Sequence, residues 1–419
     1  MSTFPLRAAR SAASSVGPLA AASAVSAANS LLIALAYARL AGPTSFGTYQ
    51  IALSATAIVS IVALSGTATA ATRAAAQGRS AAWPLFLDRL PYCAAASLLQ
   101  AAAAAGLWFL GSETLAAALV AAAVALPLYV GADVYPAQLI GQRRYGRYLL
   151  FQIVLQSTTA LAVIAAVAGA PRHPWIAVGA LAGWTGILQF AGLVSLRSSA
   201  TLMADDRHYA RRMTLANALG AVDERLDVLL AGALLGARDA GLVAVARTLP
   251  MLVRRLWQIL YQPFFVRIAA VPPSHSLIIA ERYRLLLVAC LGGLSLATIP
   301  AAPYLIPALF GESFKEAVSL TQLFMLAAGL VSLARLHEIV LRAIGDVRAL
   351  ATLYTTLALT SMVCLPPLIA LWGILGIGIE ALVATIVYIV LATRLARNSV
   401  AAGLVEAEPL RGQKSDVAK

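Results

Sequence analysis

Seven ionisable side chains lie inside one strongly apolar stretch, Met213–Pro263: Asp223, Glu224, Arg225, Asp227, Arg247, Arg254 and Arg255. An ionised group near a bilayer centre costs roughly 2.5–3.5 kcal/mol on insertion scales, so seven facing lipid would not persist. They must face one another or a hydrated cavity. Guanidinium forks grip phosphate bidentately, and amide side chains add neutral donors. Together with Gln258 and Gln262, therefore, Arg225, Arg247, Arg254 and Arg255 read as candidates to bind an anionic, phosphate-bearing substrate. Asp223, Glu224 and Asp227 read as candidates to bind a coupling proton or sodium ion. The competing reading is neutralisation of three acids by four arginines as buried pairs.

The stretch reads as two helices, near 213–236 and 241–265, joined by a turn at Ala237–Gly241. At about 100° per residue, Asp223, Asp227, Glu224 and Asn217 share a broad polar face, with Arg225 at its margin. On the second helix, Arg247, Arg254, Arg255, Gln258 and Gln262 fall within about 100°. Leu249, Val253, Leu256 and Leu260 lie opposite. By depth, Arg254 and Arg255 stand level with Glu224 and Arg225.

The elements that must hold these residues are membrane helices. The chain has 419 residues, 61% hydrophobic and only 12% charged, with a mean hydropathy of +0.83. Apolar runs recur from end to end and give an all-α polytopic membrane protein with about twelve spans. Most of the 31 basic residues fall in one set of alternate loops and at both termini. The opposite loops hold only Arg39, Arg172, Arg238 and Lys315. Lys and Arg favour the cytoplasmic side, which places both termini there. The net charge of +13 is thus topological and does not point to nucleic acid.

Several features are ordinary on this reading. Cys93, Cys290 and Cys364 sit in apolar runs with no paired spacing, against a disulfide framework or metal site. Arg7 and Arg10 before an Ala-rich run imitate a signal peptide, but the apolar segment continues to Leu40 and reads as a retained span. Ser23, Ser26, Asn29 and Ser30 on the first span fit either close helix packing or a polar lining. Asp133 reads as partly solvated near a span end, and His173 as a solvated loop residue. Arg335, Glu338 and Arg342 can pair within their helix. The cluster GQRRYGRY reads as a positive-inside anchor or an anionic-headgroup contact. There is no phosphate-binding Gly-rich loop, metal-ligand cluster or nucleophile–base signature, so neither catalytic residues nor a cofactor are expected.

The second half echoes the first. FGTYQIAL recurs loosely as AGLVAVAR, GSETLAAALV as GESFKEAVSL and LIGQRRY as AIGDVRA. Their glycines stand at offsets of 194, 200 and 204 residues. Ordered matches with slowly drifting offsets predict duplication of a six-helix unit, giving two parallel-repeat six-helix bundles with substrate between them. The expected domains are 1–204 and 205–419, the second with a short cytoplasmic tail, hinged around 197–212.

The segments ARLAGPTSFGTYQIAL, DVLLAGALLGARDAGLVAVAR, YLIPALFGESFKEAVSL and WGILGIGIEALVATI together resemble the polysaccharide-transporter, or O-antigen flippase, branch of the multidrug/oligosaccharidyl-lipid/polysaccharide exporter superfamily. The resemblance implies alternating access in a bacterial cytoplasmic (inner) membrane. The implied cargo is a polyprenyl-pyrophosphate-linked saccharide, and the implied partners are membrane lipids, H+ or Na+, and glycan polymerase machinery. It maps the seventh-helix acid to Asp227 and the basic cavity to Arg225, Arg247, Arg254 and Arg255. The alternatives are an ion-coupled drug exporter of the same superfamily, a membrane glycan polymerase or ligase, and a scaffold. Short outer loops count against the enzyme, and mid-membrane charges against the scaffold.

Overall fold

The computed structural model describes the backbone of residues 4–197, 202–269, 271, 273–344 and 346–415. Within those ranges the side chains of 4–16, 215–217, 219–224, 258–263, 265–267, 269, 273–274, 347 and 402–415 lie outside the described set. The described residues form helices joined by short turns. Eight helical segments are long and apolar enough to cross a bilayer, and a ninth qualifies when a pair bent by 47° is counted as one span.

The helix α1 (Phe4–Val59) is two spans merged, because Gly42, at φ 75°, turns the chain just before Pro43. The second arm breaks over 60–66 and resumes as α2 (Thr67–Ala76). Next come α3 (Ala82–Phe109), α4 (Glu113–Tyr129) and α5 (Val134–Gly141), the last two separated by a short tight turn at Gly131–Asp133. Then α6 (Tyr145–Gly169) and α7 (Pro174–Val194) complete the first six spans. The charged helices are α8 (Ala204–Leu234), α9 (Ala237–Ala246) and α10 (Thr248–Ala269). They are followed by α11 (Pro273–Leu287), α12 (Gly293–Phe310), α13 (Ala317–Val331), α14 (Arg335–Ile344), α15 (Val347–Trp372) and α16 (Ile374–Ser415). With both arms of α1, α8 and the α9–α10 span included, about twelve spans result, as the hydropathy pattern requires.

The duplication is visible in the backbone. Gly42 and Gly236 have φ of 75° and 105°, and Gly111 and Gly311 have 80° and 101°. These pairs repeat the sequence offsets of 194 and 200 and end corresponding helices in corresponding ways. Gly47 and Gly241 meet each other. A Cβ on Gly47 would lie 1.6 Å from the Ala237 carbonyl oxygen, and one on Gly241 would lie 2.1 Å from that of Pro43. Each glycine thus faces the carbonyl four residues before the other, the reciprocal contact expected across a two-fold axis.

By packing, the chain divides into two compact units. One comprises Met1–Val245 with Pro307–Lys315; the other comprises Ala246–Ile306 with Glu316–Lys419. The first is cored by Ala70, Ala74, Leu85, Phe86, Ala132 and Leu193. The second is cored by Trp257, Leu291, Met325, Ile339 and Val340. In the first unit, Arg39 donates to the carbonyls of Ala308 and Leu309, and Phe46 meets Phe314 edge-on. These contacts hold the end of α12 there.

Candidate functional site

The charged stretch is not two helices but three. Glycine at φ 105° ends α8 at Gly236, so the turn lies just before Ala237 rather than across Ala237–Gly241. A second interruption falls at Arg247. Pro250 lacks an N–H and its ring would clash with the carbonyl of residue 246, where α9 ends; it fits instead in the first turn of a new helix. Arg247 therefore stands at the junction of α9 and α10, its carbonyl accepting from the Met251 N–H at 2.9 Å.

Arg225 belongs to the first unit, half-buried on α8, where its charge is felt at the phenols of Tyr49 and Tyr129. Asp227, also half-buried, accepts a hydrogen bond from the Val228 N–H at 2.7 Å. Arg247, Arg254 and Arg255 belong to the second unit. The last two are adjacent and half-buried on α10, close enough for each charge to act on the other. Val253 and Trp257 of the same helix enter the core. The backbone carries Asp223 and Glu224 on α8 and Gln258 and Gln262 on α10, but these four side chains lie outside the described residues.

The deeply buried charge is elsewhere. In the second unit, Glu338 on α14 is 8% exposed. It accepts from Arg335 at 3.1 Å and from Arg342 at 2.8 Å, which is the local pairing the sequence indicates. The hydroxyls of Tyr354 and Tyr388 complete the shell, each at 2.6 Å. A carboxylate with two guanidinium and two phenol donors is fully compensated despite its burial. Nearby, Ser361 donates to buried Glu380 at 2.7 Å.

In the first unit, Arg89 is 0% exposed. Its charge reads from sequence as part of a basic cytoplasmic linker; the structure instead seats it within α3. Its Nε donates to the Ala63 carbonyl and its Nη1 to the Val130 carbonyl at 2.8 Å and to Asp133 at 2.5 Å. Ala63 lies in the break of the second span and Val130 at the break between α4 and α5. A broken span frees carbonyls that lipid cannot satisfy, and a neighbouring side chain must take them. Pro127 and Gly131 are the local signals that could have marked one of these breaks. An isolated acid in an apolar run is the signal that could have marked Glu380.

The first unit also has a neutral polar interior. Gln100 donates to Thr56 at 2.9 Å and to the Leu119 carbonyl at 3.2 Å, while its own Oε1 and the Ser54 hydroxyl are buried without a hydrogen-bond partner. On the first span, Asn29 and Ser30 bond back to the carbonyls of Val25 and Ser26.

An all-α membrane fold with a six-span repeat, broken spans and charged seventh and eighth spans defines a class of membrane-protein architecture. No family model and no curated protein matches the chain. Among solved structures, it is similar to an inward-facing multidrug resistance MATE family transporter of the MOP superfamily. That match has a TM-score of 0.72 at 14% identity and covers 90% of this chain and 94% of the other. It is also similar to a MOP superfamily transporter from Pyrococcus furiosus described as having a binding pocket of reverse polarity (TM-score 0.67, 12% identity, 93% and 96% covered). An outward-facing MATE transporter matches with a TM-score of 0.64 at 12% identity, covering 93% and 96%. The fold is that of the MOP superfamily's MATE transporters.

Proposed function

We propose that the protein is an exporter of the MOP type working by alternating access. The supporting observation is end-to-end likeness to both an inward-facing and an outward-facing MATE transporter. On this reading the cargo is a small molecule whose export is driven by an ion moving down its own gradient. Of the three acids, Asp227 is the coupling candidate with a described carboxylate, half-buried on a membrane helix; Asp223 and Glu224 complete the set. The duplicated bundles 1–204 and 205–419 would be the alternating elements.

The arginines favour a second reading of the cargo. By residue type, Arg225, Arg247, Arg254, Arg255, Gln258 and Gln262 are donors suited to phosphate rather than to a cationic drug. A transporter with this fold described as having a pocket of reverse polarity fits that departure. The anionic cargo would be a polyprenyl-pyrophosphate-linked saccharide, moved across a bacterial inner membrane.

Reconstitution into liposomes separates the two readings. A proton or sodium gradient should drive uptake of amphipathic organic compounds if the drug-exporter reading holds. Appearance of labelled polyprenyl-pyrophosphate saccharide on the far leaflet would establish the flippase reading instead. On the flippase reading Arg254→Ala with Arg255→Ala should reduce transport of the anionic cargo at least tenfold, with insertion unchanged. Unaltered transport by the double variant would remove these two residues from the site.

A further inference from the structure

The turn joining α5 to α6 carries Arg143 and Arg144, and the first turn of α6 carries Arg147; all three are exposed. Among the described residues none of the three guanidinium groups makes an ion pair or hydrogen bond, although the charge of Arg147 is felt at Tyr135. Several basic residues elsewhere on this predicted side of the membrane are paired with acids. There Arg73 pairs with Asp205 at 3.1 Å, Arg79 with Asp206, Arg207 with Asp88 at 2.8 Å and Arg284 with Glu281 at 2.9 Å.

The duplication supplies an internal control. At the offset of 204 the corresponding turn holds Asp346 where the first holds Gln142. Asp346 accepts from the Ala349 N–H at 2.9 Å and from the Ser399 hydroxyl. The second copy thus places an acid in this turn, held by neutral donors, where the first copy has three arginines and no acid. The first turn is also strained. Arg143 stands at φ 57°, a left-handed conformation that glycine adopts without cost and that costs an ordinary residue on the order of 1 kcal/mol. The turn is rigidly seated, because α5 packs so closely on the second span that a Cβ on Gly141 would lie 2.3 Å from the Thr72 carbonyl oxygen. Two membrane spans, 113–141 and 145–169, end and begin here, which puts the guanidinium groups at headgroup depth.

We propose that the turn 142–147 binds the phosphate headgroup of an anionic phospholipid. Charge complementarity selects the ligand: three guanidinium groups in five residues, no acid paired with them, and a surface rich in phosphate beside them. The site is independent of the transported cargo.

The test uses the full-length protein in detergent micelles, titrated with fluorescent phosphatidylglycerol, phosphatidylcholine or inorganic phosphate. Phosphatidylglycerol should bind in preference to phosphatidylcholine. Each arginine near the surface contributes about fivefold, so R143Q/R144Q/R147Q should weaken phosphatidylglycerol binding about 100-fold. R143G separates binding from folding. It should raise the melting temperature by relieving the left-handed strain while weakening lipid binding about fivefold. Unchanged affinity in R143G or in the triple variant would overturn the site. So would equal competition by inorganic phosphate, which would assign the turn to a soluble anion.

Discussion

The fourth and tenth spans are broken at corresponding places, after Tyr129 and after Val331, and the charge at the two breaks is arranged in opposite ways. At the first break a buried cation is central. Arg89 reaches across from α3 to two freed carbonyls and to Asp133, which is itself 34% exposed. At the second an anion is central, with Glu338 held by two arginines of its own helix and by two tyrosines from α15 and α16. The backbone interruption belongs to the repeated fold. The electrostatic solution does not, and each copy has found its own.

The comparison predicts unequal sensitivity. Glu338→Ala should be the most damaging change, because it removes the acceptor shared by the part-buried Arg335 and by the Tyr354 and Tyr388 hydroxyls; Arg342, 40% exposed, is less affected. A loss of about 3–5 kcal/mol is expected, read as a large drop in melting temperature of the purified protein. Glu338→Gln keeps the shape and some acceptor capacity and should lose less. Equal melting temperatures for wild type and Glu338→Ala would mean the cluster is not a buried network. Arg89→Met should fall in the same range or slightly below. It abandons two backbone carbonyls, but the remaining carboxylate, Asp133, has partial access to solvent. For the same reason Asp133→Asn should cost less than Arg89→Met. The reverse order would mean that the carboxylate, and not the guanidinium, organises the first break.

This asymmetry marks what the sequence could and could not carry. Arg335, Glu338 and Arg342 lie three and four residues apart, so helical geometry alone predicts their pairing. The repeat was legible for a related reason: Gly111 and Gly311 hold left-handed conformations that few other residues adopt, and Gly47 and Gly241 meet at a contact with no room for a Cβ. Tyr354 and Tyr388 reach Glu338 over separations that no local rule spans. Arg89 was hidden by a different cause. A basic residue near a span end reads as a solvated anchor, and only the freed carbonyls at 60–66 and 130–133 make its burial favourable. The junction at Arg247 was hidden because helical periodicity assumes continuity, whereas Pro250 sits in the first turn of a new helix.

The reciprocal glycine contact offers a smaller test of the same symmetry. Gly47→Ala and Gly241→Ala would each press a methyl group onto a backbone carbonyl, which cannot rotate away. Each should cost about 1–3 kcal/mol. Because the two share one contact, the double variant should cost less than the sum of the singles. Strict additivity would show that the two glycines do not share one interface.

The smallest effect concerns Asp346, the acid that distinguishes the second α5–α6-type turn from the first. Its hydrogen bonds from Ser399 and from the Ala349 N–H hold its carboxyl below the usual carboxylate range. A lowered folded-state value means that the stabilisation is fully present above the unfolded value, near about 3.9, and is lost as pH falls through the lowered one. Asp346→Ala removes a helix N-cap at α15 and should cost about 1 kcal/mol at neutral pH. The difference from wild type should shrink on acidification, because protonation of Asp346 weakens the same bonds in the parent protein. A difference independent of pH down to about 3 would show that the cap acts through its shape rather than its charge, and that the two turns differ in sequence without differing in electrostatics.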